Sequence, residues 1–172
     1  MPLLSNADTY NWYPVYTNPR AEKAALTALQ KKGITAYLPL QKQLKQWSDR
    51  KKWVEEPFLK SYIFVYMRAT EQTEVLMIKG ISRFIFFSGK IASMPDRQIE
   101  ELKSLLASPY ELEITADALE RGESVIVKAG PLKGLIGEMI AYKSRTQLVI
   151  RLDKLGYSIL VNLAASLIDR LS

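Results

Sequence analysis

Apolar and polar positions follow two regimes along this chain. From residue 10 to 108, strand-like alternation and helix-like spacing take turns; from 122 onward only short strand-like runs recur. YNWYPVYT (10–17) is aromatic and β-branched and predicts a strand, with Pro14 confining it to an edge or a bend. Asn18-Pro19 signals a helix start with Pro19 in the first turn. Ala21, Ala25, Ala28 and Leu29 then recur at helical spacing up to a stop at Gly33. ITAYLPL (34–40) predicts a second strand and SYIFVYM (61–67) the clearest strand of all. TEQTEVLMI (70–78) predicts a short helix from an N-cap at Thr70 to Gly80. ISRFIFF (81–87) predicts a strand that Ser88-Gly89 turns into KIAS. PDRQIEELKSLLAS (95–108) predicts a helix with Ile99, Leu102, Leu105 and Leu106 as its apolar stripe.

Between these elements, QKQLKQWSDRKKWVEE (41–56) has no firm period. It is expected to be a mobile charged hairpin or loop turned at Ser48-Asp49. PYELEITADALER (109–121) is charged and is assigned to a linker. Beyond it, ESVIVKA, LIGEMIAYK, QLVIRL and YSILVNL are split by Gly130-Pro131, Lys143-Ser144 and Leu155-Gly156, the pattern of a small β-barrel. AASLIDRLS adds a helical turn and a closing strand. The expected fold is therefore α+β. A sandwich with an antiparallel-type sheet flanked by helices (8–108) leads through a linker (109–121) to a small SH3-like barrel (122–172).

Composition removes several kinds of chemistry. The 172 residues include no Cys and no His, which excludes thiolate nucleophiles, disulfides, Cys/His zinc sites and His-dependent triads. There is no phosphate-binding GxxxxGK[ST] loop. The acid pairs Glu55-Glu56 and Glu100-Glu101 are sequence neighbours, and on a helix such neighbours do not face each other. No enzyme activity, metal or cofactor is expected. No basic segment precedes an apolar core near residue 1, and no apolar run is long enough to span a bilayer. A soluble cytoplasmic monomer is expected.

Charge divides the chain. Residues 1–108 carry 16 Lys and Arg against 10 Asp and Glu, whereas 109–172 carry 8 of each. The whole excess of +6 lies in the first part, which favours a polyanionic partner for that part or, failing one, a solvated basic face.

GESVIVKAGPLKGLIG (122–137) resembles a KOW motif, with glycines at the turns and at Gly137 in the following strand. WYPVYTNPRAEKAALTALQKKGITAYLPL, PFLKSYIFVYM (57–67) and GISRFIFF (80–87) resemble, in this order, the N-terminal domain of the NusG family. Lys60-Ser61 stands where that family usually has Pro-Gly, and the 41–56 segment is unusually basic and Trp-rich. Both departures resemble a specialised paralogue of the RfaH, UpxY or LoaP type.

The resemblance implies a transcription elongation and antitermination factor that binds the clamp helices of RNA polymerase and suppresses pausing or termination at specific operons. It implies a polymerase pocket at Tyr16, Phe58, Leu59, Tyr62, Phe84 and Phe87. Successive strand residues face opposite sides, so about half of these are expected to be buried scaffold. Contacts to the non-template DNA strand, or to nascent RNA, are implied at Asn18, Arg20, Lys32, Gln72, Thr73 and Lys79. In the barrel, Leu132 is the implied exposed contact to a ribosomal protein or Rho. A stable helical form of the barrel is not expected, since 124–128 and 146–150 are β-branched. Lys42, Lys45, Arg50, Lys51 and Lys52, with Trp47 and Trp53, suit nucleic acid or polymerase, or else form a solvated hairpin with two Trp packing anchors. The alternative to the whole reading is a generic KOW-type RNA-binding or ribosome-associated protein, which the neutral charge of 109–172 disfavours.

Overall fold

Alternation in two long strands decides the architecture of the first half. The structure, a computed structural model, describes residues 8–171. The chain divides into two compact units, one ending at Ile99 and one beginning at Glu100. The elements up to that division are β1 (Tyr10–Thr17), α1 (Glu22–Lys31), β2 (Thr35–Tyr37), β3 (Leu40–Gln46), β4 (Lys51–Pro57), β5 (Tyr62–Arg68), α2 (Gln72–Leu76), β6 (Ile81–Phe84), β7 (Phe86–Phe87) and β8 (Lys90–Ile91). Then α3 (Asp96–Ala107) runs across the division.

The main sheet has the order β2-β5-β1-β6, all antiparallel. β1 and β5 pair from Tyr10 opposite Arg68 to Tyr16 opposite Tyr62. This register puts Tyr13 and Val15 with Ile63, Val65 and Met67 on one face. There they form a single core with Ala25 and Leu29 of α1, Val75 of α2, and Ile81 and Phe84 of β6. Both helices therefore cover that face.

Local departures from expectation have local causes. α1 starts at Glu22, because Arg20 sits at φ +63° and cannot be helical, so Pro19 lies in a turn before the helix. Thr70 does not cap α2; it lies inside a 3-10 turn (Ala69–Glu71). Glu71 holds that turn by accepting from the Arg68 backbone N–H (3.2 Å) and Nε (2.8 Å). The strand expected over 81–87 breaks at buried Ile85. Its carbonyl accepts from the Ala92 N–H (2.7 Å), which closes β7 and β8 into a separate hairpin. The 41–56 segment is a regular ribbon, paired from Leu40 opposite Pro57 to Gln46 opposite Lys51. Its turn is closed by the Trp47 N–H donating to the Arg50 carbonyl (2.7 Å).

The second unit is all-β beyond α3. β9 (Leu112–Thr115), β10 (Glu123–Val127), β11 (Ile136–Tyr142), β12 (Arg145–Leu152), β13 (Tyr157–Val161) and β14 (Ile168–Arg170) form one antiparallel sheet in the order β14-β10-β11-β12-β13-β9. β9 lies inside the stretch read as linker. Its charged flanks mask a short alternating run, and Leu112 and Ile114 find partners in Val161 and Ile159 of β13. A Cβ on Gly137 would sit 2.7 Å from the Val149 carbonyl oxygen, so β11 approaches β12 where no side chain fits. No helix of the described residues is long and apolar enough to cross a membrane.

One ion pair anchors the run into this sheet. Arg151 Nε donates to Glu138 Oε2 (2.5 Å), while its two terminal nitrogens donate to the Leu119 (3.2 Å) and Glu120 (2.9 Å) carbonyls. The Gly122 N–H donates to Glu138 Oε1 (2.9 Å). The Arg151 hydrogen bond holds the Glu138 carboxyl below its ordinary pKa. A depressed carboxylate pKa stabilises the fold above the ordinary glutamate range, and that contribution is lost as pH falls through the depressed value. Chemical denaturation between neutral and acid pH is expected to show Glu138→Gln less stable than wild type at neutral pH. The gap should narrow as pH drops; a gap independent of pH contradicts this role.

Candidate functional site

The sheet's second face is aromatic. The β1–β5 register that sends odd residues toward the helices sends Trp12 and Tyr16 the other way, opposite Tyr66 and Tyr62, with Phe64 between them. Trp12 and Tyr66 lie 5.1 Å apart, Tyr16 and Tyr62 4.8 Å, and Tyr37 of β2 stacks at 6.4 Å on Phe64. Such ring pairs add about 0.5–1.5 kcal/mol each beyond area burial. At the Thr17 end, the Tyr62 hydroxyl donates to the Tyr16 hydroxyl (3.1 Å). The exposed Arg83 guanidinium of β6 lies 4.5 Å over the Tyr16 ring. That end of the face thus presents ring surface, hydroxyl oxygen and a fixed cation.

Two strained loops frame this end. Ser61 sits at φ +65° and Arg20 at +63°, conformations that L-residues adopt at a cost. Both are tied down. The Thr17 N–H donates to the Ser61 carbonyl (2.9 Å) and the Ser61 N–H donates to Glu22 Oε1 (3.2 Å). Glu22 is buried in the first turn of α1, where the helix dipole favours a carboxylate. The Asn18 N–H donates to the Gly80 carbonyl (2.9 Å), and a Cβ on Gly80 would crowd Ala21 and Ala25 at 3.3 Å. Glycine here lets the loop after α2 close against α1. A cleft of about 630 Å³ opens beside these loops, its wall mixing Arg20, Lys23, Lys45 and Lys60 with Glu22, Glu55 and Glu56.

The residues implied for polymerase contact are only partly gathered. Tyr16 and Tyr62 meet directly. The Tyr62 N–H donates to the Leu59 carbonyl (3.4 Å), and half-buried Phe58 donates its N–H to the Pro39 carbonyl (2.9 Å) in the same loop. Leu59 and Tyr62 are themselves buried. Phe84 is corrected: at 2% exposure it lies in the core beneath the helices, edge-on to Tyr13, because its partner Val15 faces that side. Phe87 is exposed but lies on the β7–β8 hairpin, three residues beyond Phe84 and outside the main sheet. Sequence reasoning passed over Phe86, exposed on the same hairpin, and Arg83. Only the pairing of β6 with β1, Tyr16 opposite Arg83, reveals that cation's place.

The six residues implied for nucleic acid separate into two groups. Asn18, Arg20 and Lys79 cluster at the Thr17 end of the sheet. Lys32 follows the far end of α1, about 15 Å away at the helical rise per residue, and Gln72 and Thr73 open α2 at that far end. Leu132 is corrected too: it is 3% exposed. Its carbonyl accepts from the Leu135 N–H (3.0 Å), closing a tight turn with the side chain inward. Among the described residues, no group of three or more acidic, His or Cys residues is placed to hold a metal ion.

Residues 10–103 match the sequence family described as "NusG: Transcription termination factor nusG", over more than half of the chain. The chain belongs to the NusG family. As a NusG-family transcription factor it also has structural likenesses. One is a structure titled "Domain interaction in Thermotoga maritima NusG", at TM-score 0.56 and 17% identity, covering 96% of this chain and 99% of that one. That likeness shows the fold. The "MjSpt4:Spt5 complex" structures, in conformations A and B, match at TM-score 0.28 and 20% identity. They cover 94% of this chain and 98% and 97% of theirs. No curated protein sequence matches the chain.

In this NusG-family chain, Ser61 holds a left-handed conformation that Gly adopts without strain. Ser61→Gly is expected to raise unfolding free energy by about 0.5–1 kcal/mol, relief of strain outweighing the added chain entropy. A denaturant midpoint that falls instead places the strain elsewhere.

Proposed function

We propose that this NusG-family factor acts in transcription elongation and antitermination. It docks on the clamp helices of RNA polymerase with the end of its first sheet where Tyr16, Tyr62 and Arg83 converge. That convergence carries the reading. A helix pair needs rigid ring area with a polar rim, and here Tyr16 supplies the accessible ring, Tyr62 and Leu59 support it from beneath, and Arg83 marks the edge. Phe58 extends the apolar area along the same loop. Asn18, Arg20 and Lys79 lie beside this surface. There they suit the exposed non-template DNA strand, cations meeting phosphates and Asn a base edge. Lys32, Gln72 and Thr73, at the far end of the helices, would form a separate contact. Phe86 and Phe87 are left outside the docking surface.

The protein works by binding, without a catalytic step or cofactor. Lys60-Ser61 in place of Pro-Gly and the basic Trp-bearing ribbon favour a specialised paralogue of the RfaH, UpxY or LoaP type serving particular operons. The second unit supplies the contact to a ribosomal protein or to Rho, through surface other than the buried Leu132 side chain.

The test is single-round transcription with purified bacterial RNA polymerase on a paused template. Wild-type protein is expected to shorten the pause or reduce termination. Arg83→Glu is expected to weaken polymerase binding severalfold, mainly through a slower on-rate and an altered salt dependence, as reversal of a rim charge does. Tyr62→Ala is a poorer probe, since a buried aromatic truncated to Ala costs about 3–5 kcal/mol of stability. Unchanged pausing on every template, together with no polymerase binding, overturns the proposal. Exchange of the leader sequence tests operon specificity.

A further inference from the structure

The β3–β4 ribbon pairs only with itself, as a two-stranded sheet apart from the main one. Residues 42–53 are exposed throughout. A free ribbon of this kind has no core to fill, yet Trp53 is 66% exposed and Trp47 52%. Neither ring serves packing, which removes their reading as anchors. Register sorts the side chains. Leu44 lies opposite Trp53, so Trp53 shares its face with Lys42 and the opposed Glu55, toward the ribbon base, and with Lys51, toward the tip. Trp47 falls on the other face, beside the turn, with Lys45 and Lys52.

Charge agrees with this sorting. Residues 42–53 carry five cations and a single acid, Asp49. Lys45 is paired to Glu56. Lys42, Arg50, Lys51 and Lys52 enter no ion pair among the described residues. Trp53 forms a wall of an open groove of about 430 Å³ with Lys42, Val54 and Glu55. Glu55 also borders the cleft that holds Arg20 and Lys60, and its carbonyl accepts from Lys23 Nζ (2.7 Å), which fastens the ribbon base to α1.

We propose that this ribbon binds single-stranded nucleic acid. The Trp53 ring stacks on one base while the Lys42 and Lys51 ammonium groups meet phosphates on either side. Trp47, Arg50 and Lys52 carry the contact round the tip, and Arg20 and Lys60 continue it at the base. Exposed rings interleaved with cations select a single strand, because a duplex keeps its base faces stacked and offers them no partner. The same chemistry serves DNA and RNA. The proposal does not rest on polymerase docking, and its test contains no polymerase.

Fluorescence anisotropy of the full chain with labelled oligo(dT), oligo(U) and a duplex, each of about 12 nucleotides, reads it directly. At least one single strand is expected to bind more tightly than the duplex; which of the two binds identifies DNA or RNA as the source. Trp53→Ala is expected to lose about tenfold in affinity with an unchanged thermal melt, and Trp53→Phe to keep most of it. Lys51→Gln with Lys52→Gln is expected to reduce the logarithmic salt slope by about 1.4. Trp53→Ala binding as wild type does, or duplex binding as tightly as the tighter of the two strands, overturns the proposal. So does absence of binding at about 50 mM salt, which would leave an acidic protein surface as the ribbon's occupant.

Discussion

The register of β1 against β5 governs the first unit. With Tyr16 opposite Tyr62, one side of both strands sets Tyr13 among aliphatic side chains and closes under α1 and α2, and the other is a ladder of rings. A slip of one residue would turn the rings under the helices and the valines outward. Both faces are specified in volume and in chemistry, so the pairing has no near competitor. Arg83 reaches Tyr16, and Glu22 reaches Ser61, only because that register fixes where β6 and the β4–β5 loop begin.

The elements with a strong period were legible in the sequence: β1, α1, β5, α3 and the strands of the second unit other than β9. Phe84 shows what was not. In ISRFIFF every residue type suits either face, and only the pairing with Val15 sends Phe84 to the core. The break at Ile85 was hidden for the same reason, since an unbroken apolar run carries no mark of where it leaves the sheet. β9 was missed because four residues between charged flanks give alternation too little length to register. Leu132 followed a family pattern, and its burial depends on a turn whose inward side only the folded chain defines. Of the candidate site, the Tyr16–Tyr62 encounter was legible. The division of the six nucleic-acid candidates between two ends of the helices was not, because it depends on the direction in which each helix runs.

The two units draw their order from different sources. The first depends on volume: a mostly aliphatic core with Tyr13 and Phe84 on one face of four strands, and a ladder of rings on the other. The second leans more on backbone, with left-handed Lys143 and Ser144 turning β11 into β12, glycine where strands crowd, and the Glu138–Arg151 pair clasping 119–122. Basic surface follows the first kind of construction and is absent in net from the second, so the electrostatic pull on a polyanion is concentrated in the unit that also carries the rings.

The order of the second sheet leaves β14 and β9 as its margins. Each is brief, three and four residues. Asp169 and Arg170 face solvent on one, Glu113 on the other. A neighbouring copy looking for unpaired amides to extend would find too little length, and meet charge wherever it approached. These two margins are thereby closed to strand addition, whatever the rest of the surface meets.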